Sequence, residues 1–206
     1  MNAFDDACRV ELRSMTVLTP FLRGKAKDGQ FVVASKGKLA PYLQEAVGDA
    51  LFNAKSGDIW SVEIKAEERY TGNLFLETWS NRNLEDAASH TVRGSNPGWL
   101  YKSRAELLFY HFLDSDRLYV ISMYRLRRWA FSAPGRHMSE TVNNERRRLP
   151  GRLFDFPEIE QSKRQQMNDT RGRLVPIKVL REEAGVGAPL HPKQMAMAFA
   201  DDEVVA

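Results

Sequence analysis

The chain has 206 residues, 43% hydrophobic and 28% charged, ordinary values for a globular protein and enough length to bury a core without staples. Its formal net charge of +3 is too small to imply a polyanionic partner, and its single cysteine, Cys8, excludes an internal disulfide or a cysteine-built metal site. No apolar run approaches the roughly 18 residues of a membrane span, and the opening MNAFDDACRVELR carries acids where a secretory leader needs an apolar stretch, so no membrane partner and a reducing, cytoplasmic setting are expected.

In chain order, residues 9–19 (RVELRSMTVLT) and 30–35 (QFVVAS) read as strands, separated by turn chemistry at Lys27-Asp28-Gly29. Pro41 stands where the first turn of a short helix, YLQEAV, would begin. Residues 48–53 (GDALFN) and 59–67 (IWSVEIKAE) form a predicted hairpin around Lys55–Asp58, followed by a strand over 73–79 (NLFLETW) and a polar loop over 80–98. Ala105, Leu108, Phe109 and Phe112 recur at helical spacing and predict a helix over 101–113. Residues 118–123 (LYVISM) suit a buried strand and 124–131 (YRLRRWAF) a helix. Residues 173–180 (RLVPIKVL) read as an edge strand because of Pro176, and 191–206 as an acidic, disordered tail. This order predicts an α/β fold with a mixed central β-sheet flanked by helices. One domain is expected over 1–190, with N-terminal strands at 9–35, a core at 40–131 and a C-terminal extension at 132–190.

Chemistry concentrates on the second strand of the hairpin. Alternation places Trp60, Val62, Ile64 and Ala66 on one face and Ser61, Glu63, Lys65 and Glu67 on the other. If the hairpin is centred on Ser56, Asp49 lies opposite Glu63, with β-carbons about 5 Å apart. A two-residue turn at Ser56-Gly57 would shift the register and turn Asp49 away. Two carboxylates that close repel each other, and a divalent cation between them removes the cost. Oxygen-only ligands suit magnesium or manganese rather than zinc. Such an ion activates water and clamps a phosphate, and the Lys65 ammonium offsets charge that develops at phosphorus.

Asp49, a hairpin and then Glu63-Ile64-Lys65 resembles the core motif of the PD-(D/E)XK nuclease superfamily, over roughly residues 40–131. The stretch GDIWSVEIKAEERYTGNLFLETWSN, with GWLYKSRAELLFYHF after it, is similar to a branch found among viral and prophage proteins. The resemblance implies a restriction-endonuclease-like core. It implies metal ligation by Asp49, Glu63 and the Ile64 backbone carbonyl, with Lys65 positioning the attacking water. It also gives a place to an acid on the helix before the Asp strand, which Glu45 occupies. The following helix and strand would be 101–113 and 118–123. The proline that often precedes the acid is replaced by Gly48.

Glu77 would approach the metal if its strand paired with 59–67. Glu67 and Glu68 read as solvent-exposed acids. Asn73, Lys102, Arg104, Arg125 and Arg128 are candidate nucleic-acid contacts, Arg125 and Arg128 sharing one helix face. Arg146–Arg148 with Arg152 make the densest basic run. Trp79 and Trp99 could stack on unpaired bases, although core packing is the plainer role. The four histidines show no ligand spacing, Gln30 stands where a P-loop needs lysine, and no serine sits in a nucleophile elbow. The expected function is a magnesium- or manganese-dependent DNA endonuclease. A homodimer is common where both strands are cut, though no heptad repeat shows one. The alternative is a catalytically silent nucleic-acid-binding or host-interference protein of the same fold.

Overall fold

The computed structural model describes residues 3–34, 48–81, 96–131, 151–162 and 169–193. The chain divides into two compact units interleaved in sequence. The first takes Met1–Thr71, Ser103–Met123 and Val186–Ala206, and the second takes Gly72–Lys102 and Tyr124–Gly185. Residues 40–131, read from sequence as one core, thus contribute to both.

The first unit opens with helix α1 (Ala3–Lys25). Ser14, Leu18, Phe21 and Leu22 are buried, a helical spacing that turns one stripe inward. A five-stranded sheet receives that stripe. Its strands are β1 (Ala26–Val33), β2 (Ala50–Ala54), β3 (Ile59–Glu67), β6 (Leu107–Phe112) and β7 (Arg117–Ser122), in that spatial order. Every pairing is antiparallel except β3 with β6, which is parallel. Leu18, Phe21 and Leu22 pack with Phe31, Ala50, Val62, Ile64, Phe109 and Leu118, each large side chain contributing roughly 1.5–3 kcal/mol of burial.

The second unit is built on a four-stranded antiparallel sheet, ordered β5 (Asn96–Pro97), β4 (Asn73–Asn81), β9 (Asp169–Pro176) and β8 (Glu158–Ser162). Its helices are α2 (Trp99–Lys102), α3 (Met123–Phe131) and α4 (Ile177–Glu183), with a 3-10 turn at Arg152–Asp155. Leu74, Leu76, Trp99, Leu100, Leu126, Leu153, Val175 and Leu180 form buried positions of this unit. The protein is therefore α/β with a mixed central sheet and flanking helices, as expected. Among the described residues no helix is long and apolar enough to cross a membrane.

Four sequence expectations are corrected. Residues 9–19 belong to α1, not a strand. Thr16 and Val17 carry β propensity, but burying Leu18 with Phe21 and Leu22 on one stripe outweighs it. Residues 107–112 form a strand, not a helix. LLFYHF is buried on both faces beside β3, and a fully buried strand shows a continuous apolar run that periodicity cannot separate from a helix. Residues 173–180 are half strand and half helix, and β9 lies inside its sheet, with Pro176 at the strand's end opposite Asn73. Residues 191–193 of the expected tail are ordered, the Lys193 amide donating to Asp116 at 2.8 Å, and 194–206 lie outside the described residues. The helix expected at Pro41 and most of the 80–98 loop lie outside the described residues.

Candidate active site

The β2–β3 hairpin pairs Ala50 with Val62, Leu51 with Ser61, Phe52 with Trp60 and Asn53 with Ile59. This is the register centred on Ser56; the ladder ends at Ala50 and Val62, and Asp49 stands immediately before β2. Three backbone-directed bonds fix Asp49 at the end of β2. Its amide donates to the Val62 carbonyl at 2.8 Å, and its carbonyl accepts the Ala34 amide at 2.8 Å. Its carboxylate Oδ2 accepts the Ile64 amide at 2.7 Å. Because the N–H and C=O of one strand residue leave by the same edge, the Ile64 carbonyl also projects past the end of β2.

Glu63 is 7% exposed, an unusual place for a carboxylate without a partner. Lys65 supplies one, with Nζ 2.7 Å from Glu63 Oε1. Burial pushes the Asp49 carboxyl up to about 6; Lys65 opposes that shift, Glu63 adds to it, the Ile64 amide opposes it, and Glu11 adds to it. Burial works to lower the Lys65 pKa, but Glu63 and Asp49 outweigh it and the net shift is upward. The lysine is therefore a firmly charged ammonium in this setting, not a proton acceptor.

Glu11 is the residue that the sequence concealed. It stands on α1 and acts electrostatically on both Asp49 and Lys65. A strand over 9–19 hides it, because only the helix sets it about one turn from buried Ser14. Glu45 lies outside the described residues. Glu77 belongs to the second unit. Its strand β4 pairs with β5 and β9, while the edges of β3 are taken by β2 and β6, so the pairing on which its metal role depended does not occur. Its carboxylate accepts the Trp99 amide at 3.4 Å. Glu67 is half-buried and accepts the Tyr110 hydroxyl, contrary to the exposed role expected of it. Glu68 is exposed and paired with Arg13 at 2.8 Å.

Among the nucleic-acid candidates, Asn73 is half-buried at the start of β4. Lys102 and Arg104 are exposed but belong to different units. Arg125 and Arg128 are exposed on α3. Arg146–Arg148 lie outside the described residues. Trp99 is 3% exposed and packs in the core.

A second polar constellation is excluded as a reaction site. Ser14 Oγ lies 2.9 Å from His111 Nδ1, and His111 Nε2 lies 3.8 Å from Asp116. Burial lowers the pKa of His111, and Ser14 and His111 are both wholly inaccessible, so no substrate reaches the serine. Among the described residues no group of three or more His, Cys, Asp or Glu is placed to hold a metal ion. Asp49 and Glu63 are a two-carboxylate pair, of hard oxygen donors only. Comparison with protein-family models, with curated proteins and with solved structures finds no match.

Proposed function

We propose that the chain is a magnesium- or manganese-dependent nuclease that hydrolyses DNA phosphodiester bonds, with Asp49, Glu63 and Lys65 as its reacting set. The observation that carries this reading is the cluster beside the β2–β3 hairpin: the Asp49 carboxylate accepts the Ile64 amide at 2.7 Å, Lys65 and Glu63 both act on it electrostatically, and Lys65 lies 2.7 Å from Glu63. Two neighbouring carboxylates are unfavourable without a cation, and the Asp49 value of about 6 is partly that cost expressed as proton affinity.

The donor set fits a hard divalent ion. Asp49 and Glu63 would hold it, with the Ile64 carbonyl as the resemblance implies. When bound, such an ion supplies an activated water and a Lewis acid for the phosphate. The chain's own groups do the rest. Asp49 sheds its proton above about pH 6 and becomes an acceptor, while the Ile64 amide fixes its orientation. Lys65 keeps its proton, so it donates hydrogen bonds to the nucleophile or a phosphate oxygen and offsets charge developing there.

Calorimetric titration with manganese at pH 8 tests the site. Saturable binding to the wild type and its loss in the Asp49→Asn, Glu63→Gln double variant are expected; a wild type that takes up no ion rules the reading out. A second reading is a binding module of the same fold without turnover. The Glu63–Lys65 ion pair favours it, because that pair neutralises Glu63 without any metal. Metal uptake with no cleavage of any DNA form would select it.

A further inference from the structure

Within the second unit, an open cavity of about 890 Å³ is lined by Tyr124, Arg125, Arg128, Trp129, Arg152 and Glu183, closing on Gly185. Three guanidinium groups face one carboxylate, so the lining carries a cationic excess. Glu183 is already committed. It accepts Trp129 Nε1 at 2.9 Å and two Arg152 nitrogens at 2.8 and 2.9 Å. Arg152 also donates to Asp155 at 2.7 Å. Phe156 packs on Trp129 beside this cluster, in which one guanidinium is shared by two carboxylates.

The remaining lining residues, like Trp129, stand on α3 or beside Gly185. Arg125 lies along Gly185, whose φ is +71°, and a β-carbon there would come within 3.3 Å of the guanidinium. Arg128 is exposed and, among the described residues, has no hydrogen bond or ion pair. Tyr124, one helical turn before Arg128, is 71% exposed. A tyrosine ring that open is more exposed than tyrosine usually is.

We propose that this cavity binds single-stranded nucleic acid, Arg128 holding a backbone phosphate while an unpaired base stacks on Tyr124. Guanidinium forks match phosphate oxygens in pairs. Every base offers a π-face to an aromatic platform without regard to sequence. A duplex keeps its bases stacked on one another and cannot use Tyr124. An acidic peptide satisfies the guanidinium but leaves the ring without a planar partner. The assignment goes beyond the nuclease reading and does not depend on it, because every residue in it lies outside the Asp49 group.

Fluorescence anisotropy of the full chain in EDTA tests it, since no cleavage is needed. A roughly 20-nucleotide oligothymidylate is expected to bind. Arg128→Glu and Tyr124→Ala should each weaken it about tenfold or more, and Arg128→Glu should flatten the salt dependence. Both side chains are exposed, and unchanged thermal melts would verify folding. Affinity unchanged in either variant, or equal affinity for a duplex or an oligoglutamate of the same length, would overturn the proposal.

Discussion

Gly48 sits at φ +83°, and a β-carbon there would lie 2.8 Å from the Val62 carbonyl oxygen. Proline, fixed near −65°, cannot adopt that geometry. Gly48→Ala forces both a strained backbone and a clash with β3. A loss of roughly 1–3 kcal/mol is expected, read as a lowered midpoint in denaturant unfolding, and an unchanged midpoint would contradict the geometry. Asp49 makes a second prediction. Its folded pKa of about 6 exceeds the ordinary 3.8, so the folded state holds the proton more tightly than the unfolded chain does. The stabilising contribution is full below pH 3.8 and is lost as pH rises through about 6, a span worth on the order of 2–3 kcal/mol. Relative to Asp49→Asn, which keeps an oxygen for the Ile64 amide, the wild type should therefore lose stability between pH 4 and 7. Melting curves across that range check it, and a relative gain would be the wrong sign. Metal affinity should fall on acidification through the same window.

At the scale of elements, α1 offers a clean contrast. A strand over 9–19 would place Leu12 and Leu18 on one face, whereas the helix exposes Leu12 by 69% and buries Leu18 completely. Leu18→Ala should cost roughly 2–5 kcal/mol and Leu12→Ala within about 0.5 kcal/mol; equal costs in chemical denaturation would restore the strand. The hairpin was legible because Trp60–Glu67 alternates cleanly, and of the two registers that the Lys55–Asp58 turn allows the structure takes the one centred on Ser56. β6 was not, since LLFYHF is apolar on both faces and its period carries no information. Glu11 was hidden by the same ambiguity: local β propensity at Thr16 and Val17 spoke for one element, while long-range packing on β3 and β6 decided for another. Glu77 failed for a different reason. Nothing in residues 59–79 announces that β4 leaves the first sheet and pairs with β9, a partner almost a hundred positions away.

At the scale of the whole molecule, each unit is assembled from separated stretches of chain, so no single cut yields either one. The first unit is completed by the stretch after Gly185. There Leu190 and Leu118 exchange two backbone hydrogen bonds of 2.8 Å on the outer edge of β7, and Lys193 binds Asp116. An open strand edge invites association. Truncation after Gly185 is expected to remove about 2–4 kcal/mol through these bonds and to promote self-association in light scattering; a monodisperse truncation of unchanged stability would contradict the role given to that stretch. The nuclease reading rests on a few side chains held by this sheet, and one comparison tests it most directly. Single-turnover cleavage of duplex, single-stranded and branched DNA is measured with magnesium or manganese, for the wild type and for Lys65→Ala. The account predicts metal-dependent cleavage by the wild type and a rate at least about 100-fold lower in the variant. Cleavage at an equal rate in Lys65→Ala, or none by the wild type on any of the three substrates, would contradict it.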